Sequence, residues 1–151
     1  MGRKASGPPP PSDPDTGIWR GRSIARRVVS PDGMVILVGK TSRDNDILSL
    51  KLASPRDFWF HVSGESGSHV VVRNPENLES LPRDTKRLAA ALAAGHSKAR
   101  RGGRLAVHMA RCRELSKPRG MAPGKVRLSR FETVRSSPLR IEELESEEDP
   151  P

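Results

Sequence analysis

Pro55-Arg56-Asp57-Phe58-Trp59-Phe60-His61-Val62-Ser63-Gly64-Glu65-Ser66-Gly67-Ser68-His69-Val70-Val71-Val72-Arg73-Asn74 reads as two short strands joined by a glycine turn. Aromatic residues 58–60 and β-branched residues 70–72 suit a buried or half-buried pleated surface, and Gly64 to Ser68 supply the turn chemistry between them. On this reading His61, His69 and Arg73 stand near one rim of a sheet. Two imidazoles, several guanidiniums and a flexible turn suit anion recognition better than bond-making chemistry.

Working outward, Arg22 to Val29 and Met34 to Val38 form a second strand pair across Ser30-Pro31-Asp32-Gly33, with Pro, Asp and Gly in the order a tight turn prefers. After Gly39-Lys40, Thr41 or Ser42 caps a short helix to about Lys51. Asp44 and Asp46 lie in its polar, exposed first turn, and Ile47, Leu48 and Leu52 face inward. Asp84 caps a second helix running towards Arg100, with Leu88, Leu92 and alanines as a thin apolar stripe and a cationic last turn. Beyond Gly102-Gly103, strand patterns return at Arg104 to Cys112, Lys125 to Leu128 and Phe131 to Val134. A stiff basic loop, Lys117 to Gly124, interrupts them. The expected fold is α+β: one compact domain over 18–141, a mainly antiparallel or mixed twisted sheet, and two helices.

The ends differ from this body. Met1 to Gly17 is Pro-rich and nearly devoid of apolar side chains, and Glu142 to Pro151 has six acidic residues with only Leu144 to bury, so both are expected to be disordered. Residues 18–141 then hold 25 basic and 10 acidic groups, a net charge of +15. A body this positive seeks a polyanion, of which nucleic acid is the usual one. Arg supplies 20 of the 27 basic residues, which favours bidentate phosphate contacts. The acidic segment is read as a solubilising tail, or as a cover for the basic surface when no nucleic acid is bound. Cys112 is the single cysteine, which excludes an intrachain disulfide and fits a reducing compartment. No apolar run reaches membrane-spanning length, so a cytoplasmic monomer without membrane contact is expected.

Catalytic and cofactor motifs fail on their spacing. Gly33 to Thr41 resembles a phosphate-binding loop, but five residues, Met34 to Val38, stand where that loop has four, and all are strand formers. Gly64 to Ser68 misses the hydrolase elbow, since Ser68 replaces its second glycine. His61, His69 and Asp57 approach a metal-ligand set without a characteristic spacing, so neither metal nor cofactor is expected. Phe58 and Trp59 read as core more than as base-stacking platforms.

Taken together, 21–40, S-R-D-N-D-I-L-S-L-K-L-A, D-F-W-F-H-V, G-S-H-V-V-V-R, A-A-A-L-A-A-G-H-S-K-A-R and K-P-R-G-M-A-P-G-K-V resemble, in order, the RNA-binding domain of the NFACT proteins, factors of ribosome-associated quality control. The resemblance spans about Gly21 to Val134. It implies a non-enzymatic domain that contacts structured RNA, tRNA or ribosomal RNA, on the large ribosomal subunit. By motif it implies contacts from Lys40, Arg43 and Asn45, then His61, Ser68, His69 and Arg73, then Ser97, Lys98 and Arg100, and finally Lys117, Arg119 and Lys125. The 151 residues leave no room for the family's amino-terminal domain, helix–hairpin–helix segment or coiled coil, so a free-standing version is implied and tail addition does not transfer. Gly95-His96 stand where larger members place aromatics, so a stacking role there does not carry over. Two other readings remain open: an RNA-processing or RNA-modifying enzyme or accessory using His61, His69 and Asp57, and a DNA-binding protein.

Overall fold

The computed structural model describes residues 7–146. In chain order its elements are β1 (Ile18–Trp19), β2 (Arg22–Ser23), β3 (Ala25–Val29), β4 (Val35–Gly39), α1 (Ser42–Ile47), β5 (Phe58–Val62) and β6 (Val70–Val72). They continue with α2 (Arg83–Gly95), β7 (Leu105–Arg111), β8 (Leu115–Ser116), β9 (Arg127–Leu128), β10 (Glu132–Ser136) and α3 (Ile141–Ser146). The fold is α+β, and its main sheet has six strands in the order β10-β7-β5-β6-β4-β3, every neighbour antiparallel.

Both expected strand pairs form, but the second starts at Ala25, because Arg22–Ser23 pairs instead with Ile18–Trp19 in a separate two-stranded sheet. Phe58 stands opposite Val72 and Phe60 opposite Val70, while Ala25 pairs with Gly39 and Val29 with Val35. Successive strand residues face opposite sides, so three consecutive buried residues require cover on both faces. On one face Phe58, Phe60, Val70, Val72, Ile36 and Val107 pack against Ala89, Ala90, Leu92 and Ala93 of α2. On the other, Trp59, Val71, Leu37 and Ala110 pack against Ile24, Leu48 and Leu52. The small alanine stripe of α2 lets that helix lie close on the sheet, which is why a thin apolar face suffices.

Several local expectations need correction. The start of α1 is not exposed: Asp44 and Asn45 are 3% and 5% accessible. Thr41 does cap it, its Oγ1 accepting the Asp44 N–H at 3.1 Å. Arg22 then neutralises the buried Asp44 carboxylate at 2.9 Å. The helix continues as a π-helical turn, Leu48–Leu52. α2 starts at Arg83 behind Pro82, not behind Asp84, because Pro82 holds an extended backbone that ends the preceding segment; Asp84 sits in the first turn. It also stops at Gly95, where the backbone is diverted to pair with residues 66–68.

The ends are more structured at their inner margins than their composition suggests. Asp13 forms a bridge with Ile18, the Gly17 N–H bonds the Asp13 carbonyl at 3.0 Å, and the Gly21 N–H bonds the Pro11 carbonyl at 2.9 Å. The acidic segment opens as the third helix, α3, anchored by buried Ile141. Residues 1–6 and 147–151, where the rest of the expected disorder falls, lie outside the described residues.

Candidate nucleic-acid interface

The polar residues at the loop end of β5 and β6 build a frame before they present anything to solvent. His69, expected on a rim, is fully buried. Its Nε2 lies 2.9 Å from the Gly124 carbonyl and its Nδ1 2.8 Å from Ser49 Oγ. A carbonyl only accepts, so Nε2 carries the hydrogen and Nδ1 accepts from the serine hydroxyl. Burial lowers its pKa to about 4, keeping the ring neutral. Asn45 serves the same frame: Oδ1 accepts the His69 N–H at 3.1 Å and Nδ2 donates to the Gly67 carbonyl at 3.3 Å. Gly39 makes room for it, since a Cβ there would stand 2.0 Å from Asn45 Oδ1.

This frame presses the 66–68 loop onto the segment after α2. The Ser68 N–H bonds the His96 carbonyl and the Lys98 N–H bonds the Ser66 carbonyl, each at 2.9 Å. A Cβ on Gly67 would come within 2.8 Å of Ser97 Cβ, so only glycine permits the approach. Ser68 Oγ donates to the Gly39 carbonyl at 2.9 Å, and Ser97 Oγ to the Ala94 carbonyl at 2.7 Å. Both hydroxyls therefore hold backbone in place.

Between these segments lies an open cleft of about 410 Å³ where Lys40, Asn45, Ser68, Ser97, Lys98 and Arg100 meet. Its exposed cations are Lys40, Lys98, Arg100 and Arg140. No carboxylate among the described residues lines it. Lys98 and Arg100 have no ion pair among the described residues, whereas Lys40 Nζ donates to Ser23 Oγ at 2.9 Å and Arg140 lies 3.5 Å from Glu142. Arg140 escaped the sequence reading, because it stands 40 residues after Arg100 at the start of an acidic stretch and only the docking of α3 brings it here.

The other expected contacts are dispersed. Arg43 and Arg119 are exposed but line neither this cleft nor its neighbour. Lys117 is a staple within the basic loop: its Nζ donates to the Ala122 and Lys125 carbonyls and pairs with Asp46 at 3.2 Å. Lys125 and His61 line an adjoining cleft of about 450 Å³, which shares Ser42, Asn45, Ser66 and Gly67 with the first. Arg73 belongs to neither. At the opposite end of the hairpin it binds Asp57 and lies 3.0 Å from Asp15. Asp57 is fully buried and also accepts the N–H groups of Ser54 and Asn74 at 2.8 Å, so Arg73 is the cation its burial demands.

The set His61, His69 and Asp57 does not assemble. Asp57 precedes β5 and His61 is four residues further on, roughly 13 Å along an extended strand, while both nitrogens of His69 are engaged. Among the described residues no group of three or more His, Cys, Asp or Glu side chains is placed to hold a metal. Burial, with help from His69 and His108, lowers His61 to about 4.

A family model described as the NFACT protein RNA binding domain matches residues 25–130. This chain belongs to the NFACT RNA-binding domain family. The Rqc2 homolog RqcH of Streptococcus suis (strain 05ZYH33) is 40% identical over 118 residues, 78% of this chain and 21% of that protein. The Rqc2 homolog RqcH of Bacillus subtilis (strain 168) is 38% identical over 109 residues, 72% of this chain and 18% of that protein. The chain thus spans about a fifth of the length of these curated relatives. A solved structure of the C-terminal of the fibronectin/fibrinogen-binding protein from Streptococcus suis matches with a TM-score of 0.74 at 36% identity, covering 83% of this chain and 49% of that one. The matched stretch of the NFACT RNA-binding domain includes Lys40, Lys98 and Arg100, and Arg140 falls beyond it. No helix among the described residues is long and apolar enough to cross a membrane.

Proposed function

We propose that this chain is a non-enzymatic RNA-binding module that holds structured RNA, tRNA or ribosomal RNA, by its phosphates. The observation that carries this reading is the first cleft, lined by no carboxylate among the described residues, whose four exposed cations include two without an ion pair among those residues. Its polar side chains, by contrast, are spent on the backbone. Anion binding needs donors whose charge is not already neutralised, and Lys98 and Arg100 meet that condition at the turn after α2. The kinship with RqcH proteins supports a role in ribosome quality control in the cytoplasm, with the large ribosomal subunit as the setting and the monomer as the working unit.

Phosphate-dominated binding releases counterions, so its salt dependence is the test. With about five phosphates neutralised, log affinity for tRNA falls with log salt at a slope of roughly −3.5 to −4.5. A flat response in a fluorescence titration overturns the reading. Competition by double-stranded DNA of the same length, if equal to that of RNA, removes its RNA preference.

A further inference from the structure

The cleft beside the cationic one has a different chemistry. Continuing the β5–β6 register by one residue puts His69 beside His61, and His61 pairs directly with His108 of β7. Three imidazoles therefore form a row across adjacent strands on one face of the sheet. The His61 and His69 ring centroids are 5.3 Å apart, and Trp59 stacks on His61 at 5.8 Å. Phe131, one of only five aromatic Phe and Trp residues in the chain, lies exposed 4.5 Å from His108.

Two features of this row are unused by the fold. The Trp59 side chain is buried, yet its indole Nε1 has no hydrogen-bond partner among the described residues. A buried donor without an acceptor costs about 1–3 kcal/mol, so such a group is uncommon without a reason. His108 is only partly buried and has no ring hydrogen bond among the described residues, and His61, also partly buried, bonds only the Gly67 backbone, in contrast to His69, which is held at both ring nitrogens. Burial lowers the pKa of His61 and His108, so they present neutral rings. Trp59, His61 and His108 all line the cleft together with Pro123, Gly124, exposed Lys125 and Glu65, its one carboxylate among the described residues. Its volume of about 450 Å³ is in the range of small-molecule sites.

We propose that this second cleft receives one unpaired nucleotide of the RNA, its base stacking on the His61–His108 row and accepting a hydrogen bond from Trp59 Nε1. Neutral aromatic rings stack on any base, and single-stranded loops and bulges are where bases are free to leave a helix. The shared wall at Ser42, Asn45, Ser66 and Gly67 lets the phosphates flanking that nucleotide lie in the cationic cleft. The module thereby distinguishes looped from fully paired RNA. This inference rests on the RNA-binding reading above.

The test uses the full chain and two RNAs with equal numbers of phosphates: a stem–loop carrying 2-aminopurine in its unpaired loop, and a blunt duplex. The stem–loop is expected to bind about tenfold more tightly, the scale of one base–aromatic stack, with a saturable change in 2-aminopurine emission. Trp59→Phe, which removes only the indole N–H and part of the ring, and His108→Ala each reduce that preference while duplex affinity stays. His61→Ala does the same if the variant folds; otherwise the first two decide. Equal affinity for the two RNAs in the unmodified chain overturns the base cleft, as does a preference that survives both Trp59→Phe and His108→Ala. Failure of both RNAs to bind overturns the RNA-binding reading itself, which keeps the two failures apart.

Discussion

The two ends of the β5–β6 hairpin carry similar residues and do opposite work. At one end Asp57, Arg73, Asn74 and Asp15 close on each other: the carboxylate is fully buried, the guanidinium is held by two acids, and Asn74 bonds the Arg56 and Leu78 carbonyls, each at 3.1 Å. At the other end Asn45, His69, Ser68 and Ser97 also spend their polar atoms internally, but the backbone they hold forms the walls of two clefts edged by exposed cations. A polar cluster near a turn thus marks an interface only where charge is left over once the fold has been satisfied.

The largest effect that could break this comparison is on stability. Arg73→Ala strips the counter-cation from buried Asp57 and is expected to destabilise the protein by about 3–5 kcal/mol, read by chemical denaturation. RNA affinity of the folded fraction should not change. A stable Arg73→Ala variant that loses RNA would instead return Arg73 to the binding surface.

Acid should weaken the loop end. The folded pKa of His69 is about 4 against an ordinary 6.5, so between those values the unfolded chain binds the extra proton and stability falls as pH drops. The loss starts near pH 6.5, is complete near pH 4, and amounts to roughly 3 kcal/mol at 1.36 kcal/mol per pK unit. The groups facing the ring are Ser49, Gly124, Asp46, Lys117, His61 and Trp59, with the Asp46 charge opposing the shift and that of Lys117 adding to it. His69→Gln should flatten this window in thermal melts at pH 4–7; an unchanged slope would assign the acid sensitivity elsewhere.

Charge removal at the first cleft should leave the fold alone. Lys98→Ala with Arg100→Ala is expected to shift stability within about 0.5 kcal/mol, to lower tRNA affinity about tenfold at low salt, and to reduce the salt slope by roughly 1.4–1.8. An unaltered slope would place the phosphate contacts on other cations, with Arg43 and Arg119 the next to remove. The smallest effect concerns α3. Glu142 lies 3.3 Å from Arg26 and 3.5 Å from Arg140, which lines the cleft. Glu142→Gln should raise RNA affinity about two- to threefold at low salt, with the gain vanishing near 1 M as screening shortens the field. A gain that persists at high salt would point to a change of shape.

Much of this was legible in the chain because it is local. Residues 58–60 and 70–72 form strands since their side chains suit a pleat, and 30–33 turn because Pro, Asp and Gly stand in order. Thr41 caps α1 for a reason confined to four residues. The start of α2 was misread because Asp84 is the better capping side chain, yet Pro82 sets where the backbone becomes helical. Asn45 looked like a surface residue, since nothing near it in sequence announces that Gly39 and Gly67 leave room for its amide.

The sequence by itself determined the strand pairs, the alanine-striped helix and the excess of positive charge, because periodicity, turn chemistry and composition depend on near neighbours, and its six ordered motifs carried the family resemblance. Only the tertiary structure decided which cations remain available. Arg73 is neutralised by Asp15, 58 positions away, and Lys117 by Asp46, while Lys98 and Arg100 meet no acid among the described residues. Coulomb attraction and hydrogen bonding act over a few ångströms of space, regardless of distance along the chain, so a residue's charge is visible in its letter but its freedom to bind RNA depends on what folding brings beside it.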